Sequence, residues 1–200
     1  MANPGLRPLH TLTSGVIPLP FNDVDTDQII PARYLKVTDK AGLADGLFSG
    51  WRYLPDGRPD PEFPFNRAEY QGCQVLLAGD NFACGSSREH AAWALLGWGI
   101  RAVISTSFAD IFKNNALKNG LLPVIVDPNT HRGLFDSTKA NPFTQVTIDL
   151  ASQKLILPDG STVSFPIDPF SKICLLEGID QLGYLLKQEA AITAFEVAHP

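Results

Sequence analysis

The segment Gly79-Asp-Asn-Phe-Ala-Cys-Gly-Ser-Ser-Arg-Glu-His90 gathers two acids, an amide, a thiol, two hydroxyls, a guanidinium and an imidazole within twelve residues. A short apolar run, Val75-Leu-Leu-Ala78, precedes it, and a helical pattern over Ser87 to Trp98 follows it. A strand therefore passes through a tight glycine-containing loop into a helix. Backbone N–H groups and the positive end of the helix dipole converge at such a junction and favour an anion. Arg88 adds a planar cation able to grip a carboxylate with two hydrogen bonds.

Two other readings fit the same residues. Ser86-Ser-Arg-Glu89 has the S-x-x-E spacing of a capping box, with Ser86 as N-cap and Glu89 as N3, which would make Ser86 structural. Cys84, just before the expected helix start where a thiolate is favoured, together with His90 would suit a stand-alone cysteine or serine hydrolase. Against the hydrolase, the G-x-S-x-G elbow is absent. His10 and His199 sit near the termini, His131 lies in a polar stretch, and His90 in a first helical turn would ordinarily be a packed or surface histidine.

A second polar turn, Asn22-Asp-Val-Asp-Thr-Asp-Gln28, follows the expected first strand, Ser14–Pro20, and its Asx side chains can bond back to the main chain. Ile29-Ile-Pro31 opens a segment ending near Val37. Residues 38–70 are rich in Gly, Pro, Asp and aromatics and read as a long irregular loop, either a binding lid or a surface insertion. Beyond Gln74 the strand Val75–Ala78, the helix Ser87–Trp98, the strand Ile100–Ile104, a helix through Phe108, Ile111, Phe112 and Leu117, and the strand Leu121–Val126 alternate as parallel βαβ units. Gln145–Leu150 alternates as a further strand. Lys154–Leu157 and Ser161–Phe165 flank Pro158-Asp-Gly160 as a hairpin. Helical patterns close the chain at Asp168–Gly178 and Gln181–Val197. The expected architecture is one α/β domain over residues 1–200, with its core in 14–196 and a mixed sheet or small barrel.

Composition narrows the function classes. A net charge of −5 without a Lys/Arg run argues against nucleic-acid and anionic-membrane binding. No run of 18 apolar residues spans a membrane, and Met1–Leu12 lacks the apolar stretch of a secretory signal, so the cytoplasm is the expected compartment. Cys73, Cys84 and Cys174 stand 11 and 90 residues apart without a C-x-x-C, so free thiols are expected rather than disulfides, and no metal or cluster within this chain.

Asp25-Thr-Asp-Gln-Ile-Ile-Pro31, Tyr34-Leu-Lys36, Gly79–His90, Ser107-Phe-Ala-Asp-Ile-Phe112 and Lys118-Asn-Gly-Leu-Leu-Pro123 together resemble the aconitase superfamily, in order, over roughly Ser14 to Glu196. Within it they resemble the small subunits of two-chain hydro-lyases, and Trp51-Arg-Tyr-Leu54 with the proline-rich stretch after it resembles the bacterial leucine-pathway version. The resemblance implies a swivelling β/β/α domain. It also implies a large-subunit partner holding a 4Fe-4S cluster through three cysteines, and a small hydroxy-dicarboxylic substrate. The implied reaction is dehydration of 2-isopropylmalate to 2-isopropylmaleate and rehydration to 3-isopropylmalate, with homoaconitate or a methyl-branched malate as alternative substrates. It places the catalytic base at Ser86 and substrate contacts at Ser87 and Arg88. Thr26 and Asp27 match an active-site turn, and Lys36 and Val37 fall where family members vary with the substrate side chain. Ala83 stands where the motif commonly has glycine, which restricts the loop backbone.

Overall fold

The structure, a computed structural model, describes residues 6–34, 42–85 and 88–199. Its frame is a mixed seven-stranded sheet in the order β4-β3-β2-β1-β5-β6-β7. β1 (Thr11–Leu19), β2 (Val75–Ala78), β3 (Ala102–Ser105) and β4 (Leu122–Ile125) run parallel, in register through Ile17 opposite Leu76, Leu76 opposite Val103 and Val103 opposite Pro123. β5 (Gln145–Asp149) joins the other edge of β1 antiparallel, and β6 (Lys154–Ile156) and β7 (Thr162–Ser164) continue as the expected hairpin.

The side-chain period of two sorts the strands into two buried layers. Ile17, Leu19, Leu76, Ala78 and Val103 face one layer, packed under α3 (His90–Trp98) and α4 (Asp110–Asn119). Val16, Val75, Leu77, Ala102 and Ile104 face the other. That layer is closed by Leu134 of α5 (Pro128–Ala140) and by Leu175 of α6 (Pro169–Glu177). Central strands buried on both faces read as continuous apolar runs, which is how β2 appears in the sequence.

Residues 42–70, the described part of the 38–70 loop, are mostly irregular, but they are packed into the core and do not lie over it as a lid or surface insertion. A short helix α2 (Leu43–Gly46) and 3-10 turns at Pro64–Asn66 and Ala68–Tyr70 deliver Leu43, Leu47, Phe48, Phe63, Phe65 and Tyr70 into the first layer. Phe48 meets Trp51, Phe63 and Phe65 at centroid distances of 5.0–6.0 Å. Arg52 is 8% exposed, lies 4.2 Å over the Trp98 ring, and donates to the Leu47 carbonyl at 3.2 Å and to Asn66 Oδ1 at 3.3 Å. Burial pushes its pKa down, yet no carboxylate is needed because carbonyl oxygens take its donors.

Three further elements depart from the expected ones. β1 begins three residues earlier, at Thr11, because pairing with β5 continues the alternation. α5 lies in the stretch around His131 that carries few apolar residues; Asp127 caps it and Pro128 starts it. The last helical pattern breaks at Gln188 into α7 (Gln181–Lys187) and α8 (Glu189–Ala198).

Candidate active site

The carboxyl ends of parallel strands are where open α/β sheets form ligand crevices. Here two polar turns leave the ends of β1 and β2 and lock together. After β1, Asp25 caps α1 (Thr26–Ile29) in a capping box. Its side chain accepts the Asp27 N–H at 2.6 Å, and its own N–H donates to Gln28 Oε1 at 2.8 Å. An Asx side chain thus bonds back to the main chain, as expected, and it does so by capping a single helical turn. After β2, the loop Gly79–Gly85 lies beside it. The Asp80 N–H donates to Asn22 Oδ1 at 2.9 Å, Asn81 Nδ2 donates to Asp23 Oδ1 at 2.7 Å, and the Asp23 N–H donates to the Asp80 carbonyl at 2.9 Å. Further along, the Cys84 N–H donates to the Val24 carbonyl and the Thr26 N–H to the Cys84 carbonyl, both at 3.0 Å.

Close approach explains the glycines. A Cβ at Gly79 would lie 2.2 Å from the Phe21 carbonyl oxygen, and one at Gly85 would lie 1.9 Å from Asp25 Oδ2. Gly85 also has φ of 87°, a left-handed conformation. Ala83 sits at φ 61°, which accounts for the glycine commonly found at that place in the motif.

Arg88 reaches across and donates to the Asp27 carboxylate. The pair is part-exposed, so its charges and spare donors remain open to solvent. Asp27 and Arg88, two of the residues expected at the site, are therefore together. Thr26 is beside them but 1% exposed, so its side chain is packed inward. Ser86, Ser87, Lys36 and Val37 lie outside the described residues; Gly85 and Arg88 are the described neighbours of the two serines.

The capping-box reading of Ser86 and Glu89 is corrected. α3 starts at His90, and Glu89 occupies the N-cap with helical dihedrals and no side-chain bond. The difference of three residues exceeds the usual ambiguity of helix ends. The same shift removes Cys84 from the helix start. Its thiol donates to the Asp23 carbonyl at 3.2 Å, and burial, then the charges of Asp25 and Asp23, push its pKa up. A thiolate nucleophile is disfavoured there. The His90 ring packs tilted against Trp93, with centroids 4.8 Å apart.

Contacts between two segments noted in the sequence, and Thr106 beside them, complete the loop. Asp80 Oδ1 accepts from Thr106 Oγ1 at 2.5 Å and Ser107 Oγ at 2.6 Å. These hydroxyls, Ser107 first, hold the Asp80 carboxyl below its ordinary range.

Residues 8–129 match the family model described as the aconitase C-terminal domain, and residues 132–169 match the LeuD_N model. The chain is 60% identical over 195 residues to the 3-isopropylmalate dehydratase small subunit of Roseiflexus sp. strain RS-1, covering 98% of this chain and 96% of that one. The chain belongs to the 3-isopropylmalate dehydratase small-subunit family. Another member, the small subunit of Anaeromyxobacter dehalogenans strain 2CP-C, is 59% identical over 191 residues, 96% of this chain and 98% of that one. The crystal structure of 3-isopropylmalate dehydratase (LeuD) from Methanocaldococcus jannaschii superposes with a TM-score of 0.67 at 32% identity, covering 92% of this chain and 98% of that one. The small-subunit fold is thus the mixed α/β fold of the aconitase C-terminal domain, as the resemblance implied. The cysteines of this small-subunit chain do not fit an iron–sulfur cluster. Among the described residues no three His, Cys, Asp or Glu side chains group for a metal, and burial pushes the Cys73, Cys84 and Cys174 thiols up.

Proposed function

We propose that this chain acts as one swivelling domain, in the cytoplasm, and supplies the proton-transfer and carboxylate-binding half of a two-chain 3-isopropylmalate dehydratase in leucine biosynthesis. The observation that carries the reading is the locked pair of turns at the ends of β1 and β2, with Arg88 and Asp27 meeting across them. A guanidinium has five N–H donors in a planar fork, and one carboxylate oxygen of Asp27 takes only part of that capacity. The remaining donors suit a carboxylate of a small hydroxy-dicarboxylic acid, and Asp27 fixes the plane in which they point.

Ser86, two residues before Arg88, is the base. It takes the proton from the carbon next to the carbinol carbon, and the electron pair of that C–H bond becomes the double bond of 2-isopropylmaleate as the hydroxyl leaves. Return of the proton and hydroxyl with exchanged positions gives 3-isopropylmalate. An unassisted serine alkoxide is very unfavourable in water, and the nearby Arg88 charge favours the ionised form. Ser87 adds a hydroxyl to the substrate site, and Lys36 and Val37 border the substrate side chain. The cluster expected on the large subunit would contribute Lewis-acid chemistry.

The test is reconstitution. The purified chain alone is expected to be colourless, iron-free and inactive, and to gain activity on 2-isopropylmalate when mixed with a cluster-loaded large subunit. Parallel assays on homoaconitate and a methyl-branched malate decide the side-chain class. Stoichiometric iron–sulfur absorbance in this chain alone, or turnover without the large subunit, would overturn the reading.

A further inference from the structure

The loop beyond β2 is held in an unusual path. Asn81, Ala83 and Gly85 have φ of 51°, 61° and 87°, so every second residue is left-handed. Such backbone persists only where its surroundings over-determine it. One wall is the turn at 22–26. The other is the Thr106-Ser107 step after β3, the start of the Ser107–Phe112 segment, to which the reaction as described assigns no part.

Ser107 touches the loop at three points. Its hydroxyl donates to Asp80 Oδ1 at 2.6 Å, its Oγ accepts the Asn81 N–H at 2.9 Å, and its carbonyl accepts the Phe82 N–H at 3.2 Å. The Phe82 carbonyl in turn accepts the Ala109 N–H at 3.2 Å, extending a parallel bridge between Phe82 and Phe108. Ser105 Oγ steadies the arrangement by donating to the Gly79 carbonyl at 2.7 Å and the Ser107 carbonyl at 2.8 Å. Thr106 donates to the same Asp80 oxygen but, among the described residues, to no loop backbone atom. Asp80 stays ionised under this double donation, so it keeps accepting.

We propose that Ser107, acting through Asp80 and the Asn81 N–H, is a positioning residue for the dehydratase reaction: it sets the backbone path that carries Ser86 and Arg88 to the substrate. The inference rests on the roles of Ser86 and Arg88 given above. Removing the hydroxyl deletes a donor to Asp80 and an acceptor for Asn81 together, and the left-handed residues then relax toward commoner backbone. A shift of about 1 Å at a reacting group can cost roughly 10²-fold in rate. The loss falls on turnover because a short serine cannot follow a displaced backbone, whereas the long Arg88 side chain can.

The test compares Ser107→Ala, Ser107→Thr and Thr106→Ala in the complex with the large subunit, with kcat, KM and Tm measured at equal assembled concentration. Ser107→Ala is expected to lower kcat about 10–100-fold with KM within about threefold. Thr106→Ala should stay within about threefold in kcat, and Ser107→Thr should recover most of the turnover. Amide hydrogen exchange on the isolated full chain should quicken at Asn81 and Phe82 in Ser107→Ala while β5–β7 stays unchanged. A lower Tm with unchanged kcat per assembled enzyme, or equal losses in Ser107→Ala and Thr106→Ala, would overturn the proposal. If the unaltered complex fails to act on 2-isopropylmalate, the functional reading falls, and the exchange pattern alone decides whether Ser107 holds the loop.

Discussion

The Arg88 guanidinium is paired with the Asp27 carboxylate, joining the loop after β2 to the helical turn after β1. Both side chains are part-exposed, and such pairs contribute at most about 1 kcal/mol to stability. The pair matters for orientation. Arg88→Lys keeps the charge and loses the planar fork. We expect steady-state kinetics of the assembled enzyme to show raised KM and lowered kcat together, with little change in Tm. Asp27→Asn should give a smaller loss of the same kind. Wild-type kinetics in Arg88→Lys would remove the arginine from the site.

Gly85 and Ala83 make opposite cases in one loop. Gly85→Ala places a methyl where Asp25 Oδ2 already sits and forces a left-handed alanine. Left-handed backbone alone costs about 1–2 kcal/mol, so urea unfolding should show a loss of at least about 2 kcal/mol. Ala83→Gly relieves comparable strain but removes a buried methyl worth about 0.8 kcal/mol. Glycine's greater freedom in the unfolded chain costs a further amount of about 0.4–1 kcal/mol, so the opposing effects largely offset and a stability change within about 1 kcal/mol is expected.

Much of this architecture was legible in the sequence. β2, the strands around it and the 154–165 hairpin were readable because apolar runs and a Pro-Asp-Gly turn are local signals. The two polar turns were recognisable as site material, and they do meet. Three things were not legible. The aromatics of 42–70 are buried from coil, which has no period to read. The start of α3 reads three residues early, because Ser86-Ser-Arg-Glu89 has the spacing of a capping box whereas Glu89 stands at the N-cap. The contacts of Ser107 with Asp80 and Asn81 link residues 27 and 26 apart, beyond any local pattern.

The packing of 42–70 gives a direct prediction. Phe48 is fully buried among Trp51, Phe63 and Phe65. Phe48→Ala should cost about 3–5 kcal/mol, the usual range for a core phenylalanine. Chemical denaturation measures this. A cost below about 1 kcal/mol would mark the segment as a dispensable insertion.

Acid sensitivity follows from the helix caps. The Thr130 hydroxyl, then backbone N–H groups, hold Asp127 below the ordinary carboxylate range, and the Ser171 N–H does so for Asp168. A carboxyl with a lower pKa when folded binds fewer protons in that state. Its contribution is therefore complete above the unfolded value near about 4 and is lost as pH falls through the folded value. Tm should be level from neutral pH to about 4.5 and drop below it. Asp127→Asn keeps a capping oxygen without the titration, so its drop should be shallower. An equally steep drop in that variant would assign the acid sensitivity elsewhere.

The most direct test of the central claim is the turnover of Ser86→Gly in the assembled two-chain enzyme. Because Glu89 takes the N-cap of α3, the substitution removes no cap from that helix, and Tm and large-subunit binding should match the unaltered chain. Loss of a positioned proton-transfer group lowers turnover by roughly 10²–10⁴-fold, and that is the expected result with 2-isopropylmalate as substrate. Near-normal turnover in the assembled Ser86→Gly enzyme would show that the base lies elsewhere and would contradict the account.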